Sequence, residues 1–132
     1  MTTTVEISED YVQAFTLSAL QSALWADAMP DEEDGEMGLG DAAQQYDLSD
    51  MDEKSREEFL GYCRDFCVSN FDDLADISPE RAGHDFWMTS QGHGCGFWDG
   101  DYPAELGDRL TQASKPYHFD SVWVWDSGIV IE

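Results

Sequence analysis

Three histidines and three cysteines are the residue types in this 132-residue chain best suited to metal or nucleophile chemistry. The stretch from His84 to Asp99 gathers His84, His93, Cys95 and Asp99, all of types that ligate zinc. Their spacing works against a single ion. The stretch reads as a β-hairpin centred on Gln91-Gly92, a variant of the Asn-Gly turn. That register pairs Ser90 with His93, Met88 with Cys95, Phe86 with Phe97 and His84 with Asp99. Six residues at about 3.3 Å each separate His84 from Ser90, roughly 20 Å, so the two ends cannot share an ion. His84 and Asp99 then read as a cross-strand pair. Cys63 and Cys67, four apart, fall on one helical stripe and read as core thiols. Cys95 as a nucleophile would need activation by His93 or His84, and it sits between two glycines with no recognised elbow. A calcium loop fails as well. With Gly35, Gly40 or Gly100 at the glycine position, the residue that must be the leading acid is Pro30, Gly35 or Cys95. No Gly-x-Ser-x-Gly, phosphate loop or dinucleotide fingerprint is present. The expectation is a non-enzymatic protein with no catalytic residue, no metal and no cofactor.

What exceeds expectation is the charge. Asp and Glu number 29 against six Lys and Arg, a formal charge of −23. Six cations cannot form a large positive patch among so many anions, which argues against direct binding of nucleic acid or an anionic membrane. Disorder would be the default at this charge, but 42% apolar and 13% aromatic residues supply a core. Residues 1–80 hold 21 acids and three cations (Lys54, Arg56, Arg64); residues 81–132 hold eight and three (Arg81, Arg109, Lys115).

The elements that must carry this charge follow from periodicity. Val12, Phe15, Ala19 and Ala23 predict a helix from Ser8 or Glu9 to about Ala26, with Ser8 as N-cap. Residues 27–50 read as an acidic loop, mobile in part, with Asp31-Glu32-Glu33-Asp34-Gly35-Glu36 at its centre and a short helical turn near Asp41–Tyr46. A second helix runs from about Asp50 to Leu74 on the stripe Phe59, Cys63, Phe66, Cys67, Asn70 or Phe71, and Leu74, capped by Ser49 or Asp50. Ser78-Pro79 reads as its end. The hairpin of 84–99 follows, then a third helix opened by Asp101-Tyr102-Pro103 with Leu106, Leu110 and Ala113 buried and Pro116 closing it. Ser121–Trp125 and Ile129–Glu132 form a second hairpin. The expected fold is α+β in a single domain 1–132: a small antiparallel sheet of two hairpins covered by two or three helices, in the order ααββαββ. Residues 1–80 form an acidic helical layer and 81–132 a Trp- and Gly-rich hairpin–helix–hairpin.

The strings Gly83-His84-Asp85-Phe86-Trp87-Met88-Thr89 and Gly92-His93-Gly94-Cys95-Gly96-Phe97-Trp98-Asp99, continuing into Leu106-Gly107-Asp108-Arg109-Leu110-Thr111, resemble a widespread family of small acidic proteins from phages and prophages. Typical members carry Arg-Asn where this chain has Ser90-Gln91. The resemblance implies a phage-like origin and a compact fold, and supplies no activity.

Carboxylates at i, i+3 and i+4 on a helix stand roughly 5–6 Å apart, close to the spacing of phosphates along a strand. Glu53/Glu57, Asp72/Asp76 and Asp73/Asp76 supply such pairs if the second helix reaches Asp76. Small phage proteins of similar charge act as anti-restriction or anti-CRISPR inhibitors by mimicking nucleic acid. The expected partner is the basic nucleic-acid site of a host nuclease, CRISPR effector or DNA-binding regulator. Asp31, Glu32, Glu33, Asp34, Glu36, Glu53, Glu57, Glu58, Asp65, Asp72, Asp73 and Asp76 would make the contact, as monomer or homodimer. The alternative is a structural or interaction protein that binds through a Trp-rich hairpin face at Trp87 and Trp98, its acidity serving solubility or salt adaptation. Met1-Thr2-Thr3-Thr4-Val5-Glu6 lacks the basic and apolar regions of a signal peptide, three cysteines suggest no disulfide framework, and a cytoplasmic location is expected.

Overall fold

The computed structural model describes residues 7–29, 38–93, 95–98, 102–125 and 128–132. The fold is α+β, with α1 (Glu9–Asp27), β1 (Ala28–Met29), α2 (Glu53–Ser69), α3 (Phe71–Leu74), α4 (Pro79–Ser90), α5 (Ala104–Ser114), β2 (Val122–Trp125) and β3 (Gly128–Ile131). Two short 3-10 turns, Gly40–Gln45 and Leu48–Asp50, lead into α2. The first of these fulfils the helical turn expected near Asp41–Tyr46.

Helix α1 forms as its periodicity demands. The Ser8 hydroxyl accepts from the Tyr11 amide, and Val12, Phe15, Ala19, Leu20, Ala23 and Leu24 are buried. Helix α2 buries the anticipated stripe Phe59, Cys63, Phe66 and Cys67. Its bounds are tighter than expected. Asp52 rather than Ser49 or Asp50 caps it, and it ends at Asn70, whose side-chain amide turns back to the Phe66 carbonyl (2.9 Å). Phe71–Leu74 is a separate single turn.

The first expected hairpin is not there. Residues 84–90 belong to α4, which begins at Pro79 with Ser78 as its N-cap. Ser78-Pro79 is therefore a helix start, the position where proline's missing N–H and fixed φ suit the first turn. Gln91-Gly92 is a helix stop: Gly92 has φ +75°, its amide donates to the Thr89 carbonyl (3.1 Å), and the His93 amide donates to Met88 (2.9 Å). These are the two bonds of a Schellman cap, satisfying carbonyls that the helix end leaves open. The pairings of Ser90, Met88, Phe86 and His84 with residues 93–99 accordingly do not form, and Asp99 and Gly94 lie outside the described residues.

The second hairpin does form. β2 and β3 pair antiparallel with Val122 opposite Ile131 and Trp123 opposite Val130. The third strand is β1, pairing parallel with β2 through Ala28–Val122 and Met29–Trp123. The sheet order is β1-β2-β3 among the described residues.

The core is aromatic. Phe66 stands 4.6 Å from Phe86, 5.7 Å from Phe15 and 6.2 Å from Phe97, ring centre to ring centre. Each such pair adds about 0.5–1.5 kcal/mol beyond its buried area. α1 crosses α4 at backbone contact, which Gly83 permits: a Cβ there would sit 2.2 Å from the Phe15 carbonyl oxygen. Gly96 lies at φ +138° against Thr89, whose hydroxyl accepts from the Phe97 amide (3.0 Å). Asp85, nearly buried, accepts from the Tyr102 hydroxyl and has His84 Nδ1 at 3.1 Å, while Arg81 lies 4.4 Å over the Tyr102 ring. The residues around Gly83 and Gly96 thus lock α4 to α1, to the loop after it and to the approach to α5. Among the described residues no helix is long and apolar enough to cross a membrane.

Candidate functional site: an acidic helix face beside an aromatic groove

The charge on α2 is turned outward. Glu53, Glu57, Glu58 and Asp65 are all exposed, on the side opposite the Phe59–Cys63–Phe66–Cys67 stripe. Glu53 and Glu57 keep the i, i+4 spacing, with Lys54 on the same side. Arg64 is drawn away to Glu9 on α1, holding that carboxyl below its usual value. None of these four acids makes an ion pair among the described residues.

The remaining candidates are placed differently. The break at Asn70 ends α2 before Asp72, and α3 ends at Leu74, so no continuous helix aligns Asp72 or Asp73 with Asp76. Asp72 and Asp76 are exposed. Asp73 is half-buried and held by Arg109, with Nε 3.1 Å from Oδ2 and a terminal guanidinium nitrogen 2.9 Å from Oδ1. Its charge is answered within the fold and is withdrawn from any external site. Asp31, Glu32, Glu33, Asp34 and Glu36 lie outside the described residues.

Beside the acidic face runs a groove of about 400 Å³. Glu58, Tyr62 and Asp65 of α2 form one wall, the segment from Pro116 to Phe119 faces them, and Ile131 and Glu132 close the end. Tyr62 is half exposed at the mouth and meets the Tyr117 and Phe119 rings edge-on, at 6.5 and 5.8 Å. The Tyr117 hydroxyl donates to Asp65 Oδ2 (2.5 Å). Burial, and then the Asp65 carboxylate beside it, push the Tyr117 phenol well above its ordinary value, so it stays a donor.

The floor is built from below. Phe119 stacks on the Trp87 indole at 5.4 Å and 17°. Trp87 is buried, and its Nε1–H donates to Asp27 Oδ2 (2.6 Å). His93 Nε2 reaches the same carboxylate at 2.8 and 3.0 Å. Gln91 clamps the facing segment: its Oε1 accepts from the Phe119 amide (3.2 Å) and its Nε2 donates to the Tyr117 carbonyl (3.4 Å).

This placement corrects the alternative docking face. Trp87 is interior support and cannot anchor a partner. Trp98 is about half exposed, as are Trp25 and Trp125, the last stacked on Trp123 at 5.2 Å. His84 and His93 are likewise not strand neighbours of Cys95 and Asp99; His84 lies on α4 and His93 just beyond its cap. Among the described residues no group of three or more His, Cys, Asp or Glu side chains is arranged to hold a metal ion. Cys63 and Cys67 are buried; burial pushes the Cys67 thiol up to about 12 and Cys63 higher still.

Asp27, Tyr62, Tyr117 and Phe119 were not singled out from sequence, and Gln91 only as a turn residue; Asp27 and Tyr62 carried a signal. An acid at a helix C-terminus opposes the helix dipole, so Asp27 asked for a compensating donor. Tyr62 interrupts a polar helix face, at i+4 from Glu58 and i−3 from Asp65. No family model, curated protein or solved structure matches the chain.

Proposed function

We propose that this protein is a phage-type acidic inhibitor, non-enzymatic, that acts in the host cytoplasm by occupying the basic nucleic-acid site of a defence protein of the restriction or CRISPR class. The observation that carries the reading is the outward set Glu53, Glu57, Glu58 and Asp65 on one face of α2, none of them in an ion pair among the described residues. Fold stability does not call for Glu53, Glu57 or Glu58, which make no ion pair among the described residues. Like charges at i, i+4 are mildly destabilising, by a few tenths of a kcal/mol (about 0.2–0.5), and the aromatic core lies on the opposite side of the helix. A cationic cleft built for DNA gains from them, because it gives up the same repulsion and counterions that DNA would relieve. Binding is then steered electrostatically and weakens steeply with salt. The phage association rests on the resemblance carried by the strings at 83–89 and 92–99, in which Gly83 and Gly96 serve close packing.

The test is a plating assay in bacteria armed with a restriction or CRISPR system. Expression of the chain is expected to restore phage plating, and E53Q/E57Q/E58Q/D65N, folded by circular dichroism, to abolish the effect. Full protection by the quadruple variant refutes the reading. The exposed Trp98 supports a second reading, an interaction protein anchored by that indole. Loss of protection in Trp98→Ala with the acid variant fully active would favour it.

A further inference from the structure

We infer that the groove between α2 and the Pro116–Phe119 segment is a seat for one arginine side chain of the bound protein. The inference rests on the inhibitor reading and names what that reading leaves open, the chemical group at the centre of the contact. A surface that imitates phosphates needs only negative charge. This groove has aromatic walls as well, Tyr62, Tyr117 and Phe119, with the carboxylates of Glu58, Asp65 and Glu132 around them. An anion is repelled from such a place. A neutral apolar group would cover the rings and strip water from the carboxylates without answering them. A guanidinium satisfies both features: its plane stacks on an aromatic ring while its fork of N–H groups meets a carboxylate side-on. An ammonium is a compact, strongly hydrated charge and uses the rings less well.

The seat is preformed, which lowers the ordering needed on binding. Gln91 holds the backbone of Tyr117 and Phe119, Trp87 backs the Phe119 ring, and the Tyr117 hydroxyl fixes Asp65. Tyr62, half exposed, is the ring a ligand meets at the mouth. His118 also lines the mouth, but its Nδ1 is turned toward Asp120 (3.9 Å).

The experiment titrates the full chain, 15N-labelled, with acetylated and amidated tri-arginine, tri-lysine and tri-citrulline at one ionic strength. Tri-arginine is expected to shift the amides of residues 58–65, 117–119 and 132 and to bind several-fold tighter than tri-lysine, with tri-citrulline inert. Tyr62→Ala, which changes no charge, should weaken tri-arginine roughly fivefold and erase the preference over lysine. Asp65→Asn should weaken it similarly, while Asp108→Asn on α5 should not, although both remove one charge. Equal binding of tri-lysine and tri-arginine, shifts spread over the acidic surface, or an unaffected Tyr62→Ala would overturn the seat. The two readings fail separately. A wrong seat under a correct inhibitor reading leaves Tyr62→Ala fully protective in the plating assay. A wrong inhibitor reading leaves the parent chain unprotective, and the tri-arginine titration still decides the groove.

Discussion

Replacing Asp27 by alanine tests how the groove floor is held. The carboxylate accepts from the buried Trp87 indole at 2.6 Å and lies 2.8 Å from His93. Losing it strands a buried N–H donor, and a hydrogen bond to a charged group contributes about 1.5–3 kcal/mol. One term runs the other way: an acid in the last turn of α1 opposes the helix dipole, and its removal returns about 0.3–1 kcal/mol. The difference is a net loss of about 2 kcal/mol. For a chain of this size that lowers the melting temperature by roughly 8 °C, taking about 4 °C per kcal/mol. Asp27→Asn separates the terms, since its amide oxygen still accepts from Trp87 while the dipole penalty vanishes; it should melt within about 2 °C of the parent. The assay is thermal unfolding followed by far-UV circular dichroism at neutral pH. An Asp27→Ala protein as stable as the parent, or an equal loss in both variants, would refute the claim that acceptance from Trp87 is what Asp27 contributes.

Gly83→Ala should destabilise by about 1–3 kcal/mol in urea unfolding, because the added methyl collides with backbone rather than with a yielding side chain. Stability should decline as pH rises past 9. The buried Cys63 and Cys67 thiols are raised above the usual 9.0 and the Tyr11, Tyr102 and Tyr117 phenols above 10.0, so the unfolded chain releases these protons first. Urea midpoints flat from pH 7 to 9 and falling above would show it. The same burial should leave Cys63 and Cys67 unreactive toward a thiol reagent at pH 8 until urea unfolds the protein. Trp98→Ala should stay within about 0.5 kcal/mol of the parent in unfolding, since its indole lies half in water.

Where one face of an element is apolar and the other polar, the sequence was legible. Val12, Phe15, Ala19 and Ala23 locate α1, and Phe59, Cys63, Phe66 and Cys67 locate the buried side of α2. Valine and tryptophan before Asp126-Ser127-Gly128 locate the hairpin of β2 and β3. Helix α4 defeated the same logic. Gly83, Asp85, Phe86, Trp87, Met88, Thr89 and Ser90 are all buried, so no polar face marks a helical period, and adjacent aromatics imitate a strand. Gly92 was correctly suspected of a turn conformation, but the left-handed residue that closes a hairpin also closes a helix. The parallel pairing of Ala28 with Val122 joins residues too remote for any local pattern to reveal. The candidate acids on α2 were legible because exposure follows from the helix stripe. The groove was not, because it needs α2, the 116–119 segment and the end of β3 at once.

That pairing of Ala28 with Val122 has a consequence for the chain during synthesis. α1 is made before α4, which covers its apolar side and follows some sixty residues later, and the strand that continues from α1 pairs with a segment more than ninety residues further on. A mostly helical protein of this size would ordinarily gather itself from neighbouring pieces. Here α1 is covered only in part, by α2 through Phe15 and Phe66, until α4 and β2 have been made, and the 21 acids of residues 1–80 are well suited to keeping nascent copies apart in the meantime.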